Sequence, residues 1–151
     1  MPTNTRLIDI TMSADTSIFA AGDVIADTQQ LAASIRTKNF GAILDTLVLV
    51  DEDDQGAAMT VIFFGANVSL GTENAAPSIT DANARSYLGK VVVGTADWVD
   101  LGGVRVASFH NLGIVLKPET DTQNIYVAVL NGAGTPTFTA AGLKLRIGII
   151  D

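Results

Sequence analysis

The chain has 151 residues, 48% of them hydrophobic, 17% charged and 6% aromatic, which is one domain by length with a core of Ala, Val, Leu and Ile. Nine Lys and Arg against 16 Asp and Glu give a formal charge of -7, a field that repels phosphate and disfavours nonspecific nucleic-acid binding and docking on anionic membranes. With no cysteine and one histidine, disulfide frameworks, Cys-ligated zinc, iron–sulfur clusters, thiol catalysis and a multi-His metal site within one chain are excluded.

Taken in order, the N-terminus Met-Pro-Thr-Asn-Thr-Arg-Leu-Ile-Asp lacks an apolar signal-peptide core, so synthesis in a cytoplasm is expected. Met1–Thr5 reads as a flexible arm or a frayed terminus. Arg6–Met12 alternates, with Ile8, Ile10 and Met12 on one face. Val24–Ile25 reads as a brief strand, and Gln30–Thr37 carries Leu31, Ala33 and Ile35 in the same phase. Gly41–Val50 is the longest candidate strand, and Ala57–Phe64 follows across the acidic turn Asp51-Glu-Asp-Asp-Gln-Gly56. Gly65–Pro77 is a long loop. Thr80–Gly89 has a Thr or Asp cap, helix formers and a closing Gly, which predicts a short helix near 80–88. Lys90–Thr95, Gly103–Phe109, Leu112–Lys117 and Asn124–Leu130 are further strands, and Asn131-Gly-Ala-Gly134 is a tight connection. Leu143–Ile150 closes the series with the cleanest period of two, Lys144 and Arg146 outward.

Many short strands between turn residues predict an all-β, single-domain β-sandwich over 1–151, with about eight strands as in a jelly roll. Fibronectin-like and up-and-down arrangements have similar local signals. A membrane reading is not supported. The apolar runs Leu47–Val50, Val61–Phe64 and Ile147–Ile150 fall short of the roughly 20 residues of a spanning helix, and one Trp with two Tyr cannot build the aromatic girdles of a membrane barrel.

Two strands are apolar on both faces. Met59–Phe64 places Met59, Val61 and Phe63 on one side and Ile62 and Phe64 on the other. Ile125–Leu130 opposes Ile125, Val127 and Val129 to Tyr126, Ala128 and Leu130. A sheet wetted on one side alternates cleanly, so the second face is covered, either by loops and the helix of the same chain or by another subunit. The second alternative makes Tyr126, Ile62, Phe64 and Trp98 interface candidates and predicts a homo-oligomer of closed symmetry.

Few residues point to chemistry. Asp51, Asp53 and Asp54 are candidate cation ligands, but an EF-hand register would put Gln55 at its fifth position and Ile62 where a bidentate Glu is required. A solvated turn is the alternative. His110 is the one general-base candidate at neutral pH, and no Gly-x-Ser-x-Gly elbow accompanies it. Trp98 between Asp97 and Asp100 could stack on a sugar, or serve as a partly buried anchor. Walker and dinucleotide-binding loops, basic stripes and nucleic-acid modules are absent. No catalytic residue and no cofactor is expected.

Three stretches carry a resemblance. Leu47-Val-Leu-Val-Asp-Glu-Asp-Asp-Gln-Gly-Ala-Ala-Met-Thr-Val-Ile-Phe-Phe64 is strand, acidic turn and strand. Ile79-Thr-Asp-Ala-Asn-Ala-Arg-Ser-Tyr-Leu-Gly89 follows, and Gly134-Thr-Pro-Thr-Phe-Thr-Ala-Ala-Gly-Leu-Lys-Leu-Arg-Ile-Gly-Ile-Ile150 closes the chain. Together they resemble the capsid decoration (cement) proteins and related auxiliary virion structural proteins of tailed bacteriophages. The resemblance implies a jelly roll that forms a homotrimer and sits on the outer capsid surface of the virion. Its partners would be the major capsid protein and itself, with no nucleic acid and no membrane, and it would have no enzymatic activity. The alternative is a β-sandwich module of a head fibre, neck or tail that recognises a host surface or glycan.

Overall fold

The computed structural model describes residues 4–119 and 121–151. Its strands are β1 (Thr5–Met12), β2 (Val24–Leu31), β3 (Ala42–Asp51), β4 (Met59–Phe64), β5 (Tyr87–Val93), β6 (Val99–Asp100), β7 (Arg105–Phe109), β8 (Ile114–Leu116), β9 (Ile125–Asn131) and β10 (Leu143–Ile150). A one-turn helix, α1 (Asp81–Ala84), precedes β5. Among the described residues no helix is long and apolar enough to cross a membrane.

The strands form two antiparallel sheets, β1-β10-β3-β7-β6 with β8 also on β3, and β2-β9-β4-β5. First pairs with last (β1·β10), second with next to last (β2·β9), β3 with β7 and β8, and β4 with β5. This is a long double-stranded ribbon wrapped on itself. Contacts β10·β3 and β4·β9 close the wrap, and the result is a jelly roll.

The period of two decides what lies between the sheets. Met59, Val61 and Phe63 of β4, Ile125, Val127 and Val129 of β9, and Leu143, Leu145, Ile147 and Ile149 of β10 are all buried in one cluster. Leu44, Leu47 and Leu49 of β3 lie beside those of β10 and face β4 and β9 across the sandwich.

Three expectations change. The helix predicted near 80–88 is a single turn, capped by the Thr80 hydroxyl, which accepts from Asn83 N at 3.2 Å. After a turn at Arg85 and Ser86 the chain is strand from Tyr87. Leu88 packs on the core and Tyr87 meets Phe64 edge-on at 6.3 Å, so pairing with β4 overrides a helix propensity worth tenths of a kcal/mol per residue, on the order of 0.5. The strand predicted at 30–37 lies earlier, at Val24–Leu31. Ala33 turns the chain with φ +50°, its N–H donating to Asn124 Oδ1 at 2.9 Å. Ile35 still reaches the core, from outside any strand.

Asn4 and Thr5, the last residues of the expected arm, are held by the sheet. Asn4 and Asp151 exchange backbone hydrogen bonds at 3.3 and 3.0 Å, and Thr5 pairs with Ile150 in the sheet. Met1–Thr3 lie outside the described residues.

Candidate functional site

The acidic turn between β3 and β4 is built around a buried carboxylate. Asp51 is fully buried; its Oδ1 accepts from Asp53 N at 3.0 Å and its Oδ2 from Gly56 N at 2.8 Å. Asp54 and Gly56 sit at φ +55° and +56°, the left-handed region that Gly and Asp tolerate in tight turns. The other carboxylates diverge. Asp53 Oδ2 accepts from Thr139 N at 2.8 Å, Asp54 Oδ1 from Arg105 Nε at 2.7 Å, and Glu52 pairs with Lys144 at 2.5 Å. Asp51, Asp53 and Asp54 therefore hold backbone and neighbouring strands and do not converge on one point. Among the described residues no group of three or more His, Asp or Glu has metal-binding geometry. Burial pushes the Asp51 carboxyl above the ordinary carboxylate range, against the pull of the Gly56, Asp53 and Gln55 N–H groups.

The trio expected at a sugar contact is dispersed. Trp98 is buried in the core, and its Nε1 donates to Ala57 O at 2.9 Å. Asp97 Oδ2 instead accepts from Gly94 N at 2.7 Å, and Asp100 Oδ1 from Gly102 N at 2.8 Å. The Trp98 ring is thus an anchor of the core. His110 is exposed just beyond β7, apart from the carboxylates of the acidic turn at the other end of that strand.

The second face of β4 and β9 is covered by the chain itself. Ile62 and Phe64 are 8% and 2% exposed, packed with Val68, Leu70 and Ala128, and Tyr126 is half-buried against them. The cover is the loop after Gly65, so three of the four interface candidates lie beneath it or at its edge. The loop is fastened at both ends. Gly65 N donates to Ser86 O at 2.8 Å, and Glu119 N to Gly65 O at 2.9 Å. A Cβ on Gly65 would meet Lys117 O at 2.7 Å, which is why no larger residue fits there. Further along, Val24 N donates to Ala75 O and Asn74 N to Val24 O, at 2.9 and 2.8 Å, which occupies part of the open edge of β2.

Asp27 is the main side-chain clasp. It accepts from Leu70 N at 2.6 Å and from Ser69 Oγ at 2.7 Å. Burial pushes its carboxyl up, but the Ser69 hydroxyl and the N–H groups of Thr28, Leu70 and Gly71 outweigh that and hold it below the ordinary range. A depressed folded-state pKa means stability that is present above the unfolded value and lost as pH falls through the folded one. Asp27→Ala is expected to cost about 1–2 kcal/mol at neutral pH and to speed amide hydrogen exchange in the loop more than in β10. Equal protection in variant and wild type would contradict the clasp.

One surface escaped the reading of the sequence. Among the described residues no segment covers the outer face of the β1-β10-β3-β7-β6 sheet, although Val48, Val50 and Val106 are half-buried and Leu7, Ile43 and Val99 are exposed there. The available signal was Ile43, Val48 and Val50 alternating with the buried Leu44, Leu47 and Leu49 on the longest strand, β3. Its register puts Val50 opposite Val106, and Val106 opposite Val99.

No protein-family model matches the chain, and no curated protein matches it. Among solved structures, the capsid of Ralstonia phage GP4 is similar at 22% identity and a TM-score of 0.42, over 99% of this chain and 83% of that one. Desmodium yellow mottle tymovirus matches at 12% identity and 0.31, over 99% and 81%. A putative sugar-binding protein from Bacteroides thetaiotaomicron matches at 13% and 0.27, over 98% and 80%. The jelly-roll assignment rests on the strand order itself.

Proposed function

We propose that this chain is a non-enzymatic structural protein of a virion, held on the outer capsid surface as a symmetric homo-oligomer that stabilises contacts between major capsid subunits. The observation that carries this reading is the use made of the polar residues. Asp51, Asp53, Asp54, Asp97 and the Trp98 indole all bind the chain's own backbone or side chains. What remains is a rigid sandwich with a surface and no assembled reaction centre among the described residues. Jelly rolls serve viral capsids and lectins alike, and a fold does not choose among roles. The resemblance of 47–64, 79–89 and 134–150 to phage decoration proteins favours the virion role.

The physics agrees with it. A charge of -7 keeps the chain off packaged DNA and suits the outside of a capsid. A symmetric oligomer on a symmetric capsid site multiplies weak contacts into firm binding. The test is mass and position in purified particles. Copies spread over the whole head and accessible to antibody are expected. Copies confined to the neck, the tail or one vertex would overturn general decoration.

A further inference from the structure

Charge is unevenly placed along the sandwich. Strand β3 separates the loop 36–41, which precedes it, from the acidic turn that follows it. Its ten residues at about 3.3 Å each hold the two about 33 Å apart, several Debye lengths at physiological salt. In a chain of -7, the loop end is net positive. Arg36, Lys38 and Lys117 are all exposed there. Lys38 Nζ stands 3.6 Å from Asp121 Oδ1 in a pair open to solvent, which makes it weak. Arg6 and Asp151 neutralise each other at 2.9 Å, and Glu119 is turned away, accepting from Ser86 Oγ at 2.5 Å.

The same tip carries an exposed aromatic ring. Phe40 is 66% exposed, whereas Phe19, Phe63, Phe64 and Phe138 are buried and Phe109 is half-buried. Phe40 and Arg36 border a recess of about 120 Å³ with Ile35, Thr37, Gly41 and Asp151. The Lys117 stem runs beside Gly41.

The tip is fixed before any partner arrives. Gln123 Nε2 donates to Arg36 O at 2.6 Å, Phe40 N to Thr37 O at 3.2 Å and Asp121 N to Asn39 Oδ1 at 3.0 Å. Lys117 Nζ donates to Asn39 O. Asn39 lies at φ +65°, a conformation that Asn tolerates. An aromatic held outward on an ordered loop costs little entropy to cover. Ringed by charged groups, it has the make-up of an interface anchor with a polar rim.

Charge selects the occupant. A nucleic-acid strand longer than a Debye length leaves the tip and meets the acidic remainder of the chain. A second copy would have to offer its acidic turn, where Glu52 is engaged by Lys144, Asp53 by Thr139 and Asp54 by Arg105. A short acidic segment of another protein meets the local field alone. We propose that the loop 36–41, together with Lys117, is a docking site for such a segment. An apolar side chain of the segment covers Phe40 at the recess, and its carboxylates lie against Arg36, Lys38 and Lys117. The inference goes beyond the virion reading and does not depend on it.

The test is fluorescence anisotropy of a fluorescein-labelled peptide, Glu-Leu-Asp-Glu-Leu-Asp, titrated with the full chain. A Kd on the order of 10–100 µM is expected at about 50 mM salt, weakening several-fold at about 200 mM. Phe40→Ala should weaken binding at least about fivefold, and Arg36→Glu with Lys38→Glu at least about tenfold. Circular dichroism should not change, because all three side chains are exposed. Val92→Ala, at an exposed position of β5, should leave binding as it is. A wild-type Kd above about 1 mM, variants at the tip that bind as wild type does, or equal binding of Lys-Leu-Lys-Lys-Leu-Lys would each overturn the assignment. So would tighter binding of hexathymidylate, or self-association in sedimentation that Phe40→Ala abolishes.

Discussion

Replacing Phe64 by Ala is expected to destabilise the isolated chain by about 3 kcal/mol, independently of protein concentration. Phe64 is 2% exposed and its neighbours Val68 and Leu70 come from the same chain. Removing the ring leaves a cavity beneath the loop, and partial collapse of that loop keeps the loss at the lower end for a buried aromatic. A domain of this size loses roughly 2–4 °C of Tm per kcal/mol, so a fall of about 6–12 °C should appear in a thermal melt. The cause separates two uses of the same side chain. A residue buried by its own loop changes the melt equally at low and high concentration, whereas an interface residue changes it only where the oligomer forms. A loss confined to high concentration would return Phe64 to an interface.

Asp51→Ala is the second large effect, about 2–4 kcal/mol. The substitution leaves the N–H groups of Asp53 and Gly56 without the acceptor they have at 3.0 and 2.8 Å. It also loosens the turn that presents Asp54 to Arg105 and Asp53 to Thr139. Asp51→Asn keeps one acceptor and turns an NH2 group toward the other N–H, so its cost should be intermediate. The pH dependence follows from the direction of the shift. Burial raises the folded-state pKa of Asp51, so its contribution is fully present below the unfolded value and falls as pH rises through the folded one. The wild-type advantage over Asp51→Ala in urea unfolding should therefore widen from neutral pH toward about pH 4. An advantage that narrows would show that the carboxylate is held charged. The Asp27 clasp works in the opposite sense, because hydrogen bonds to its charged form dominate.

Much of the fold was legible because strands advertise themselves through a period of two. Leu143–Ile150 is predicted and observed with the same bounds, since Lys144 and Arg146 alternate with four buried apolar side chains. The acidic turn was legible too, as Gly and Asp mark left-handed backbone. The segment 85–89 misled because Arg, Ser, Tyr and Leu satisfy a helix locally; Arg85 and Ser86 instead turn the chain into β5, and that path is set by Phe64 and Gly65, about twenty residues earlier in the chain. Gln30–Thr37 misled for a similar reason. Ile35 is apolar and buried, but a turn at Ala33 delivers it, held by Asn124 and Gln123 far along the chain.

The candidate site was less legible than the fold. Apolar residues on both faces of Met59–Phe64 pointed by themselves to burial on both sides, yet not to what buries them. The cover consists of Val68 and Leu70, in a loop with no periodicity to declare it. Trp98 between two aspartates offered a ligand contact, and the fold turned its ring inward to Ala57 O. Strand phase and turn positions were determined by sequence, because they depend on neighbours within a few positions. Which sheet face is sealed and which is left open was decided only by tertiary structure. It depends on where the wrapped ribbon lays down its long loop, and that placement is stabilised by contacts such as Asp27 with Ser69 and Leu70, between residues distant in the chain.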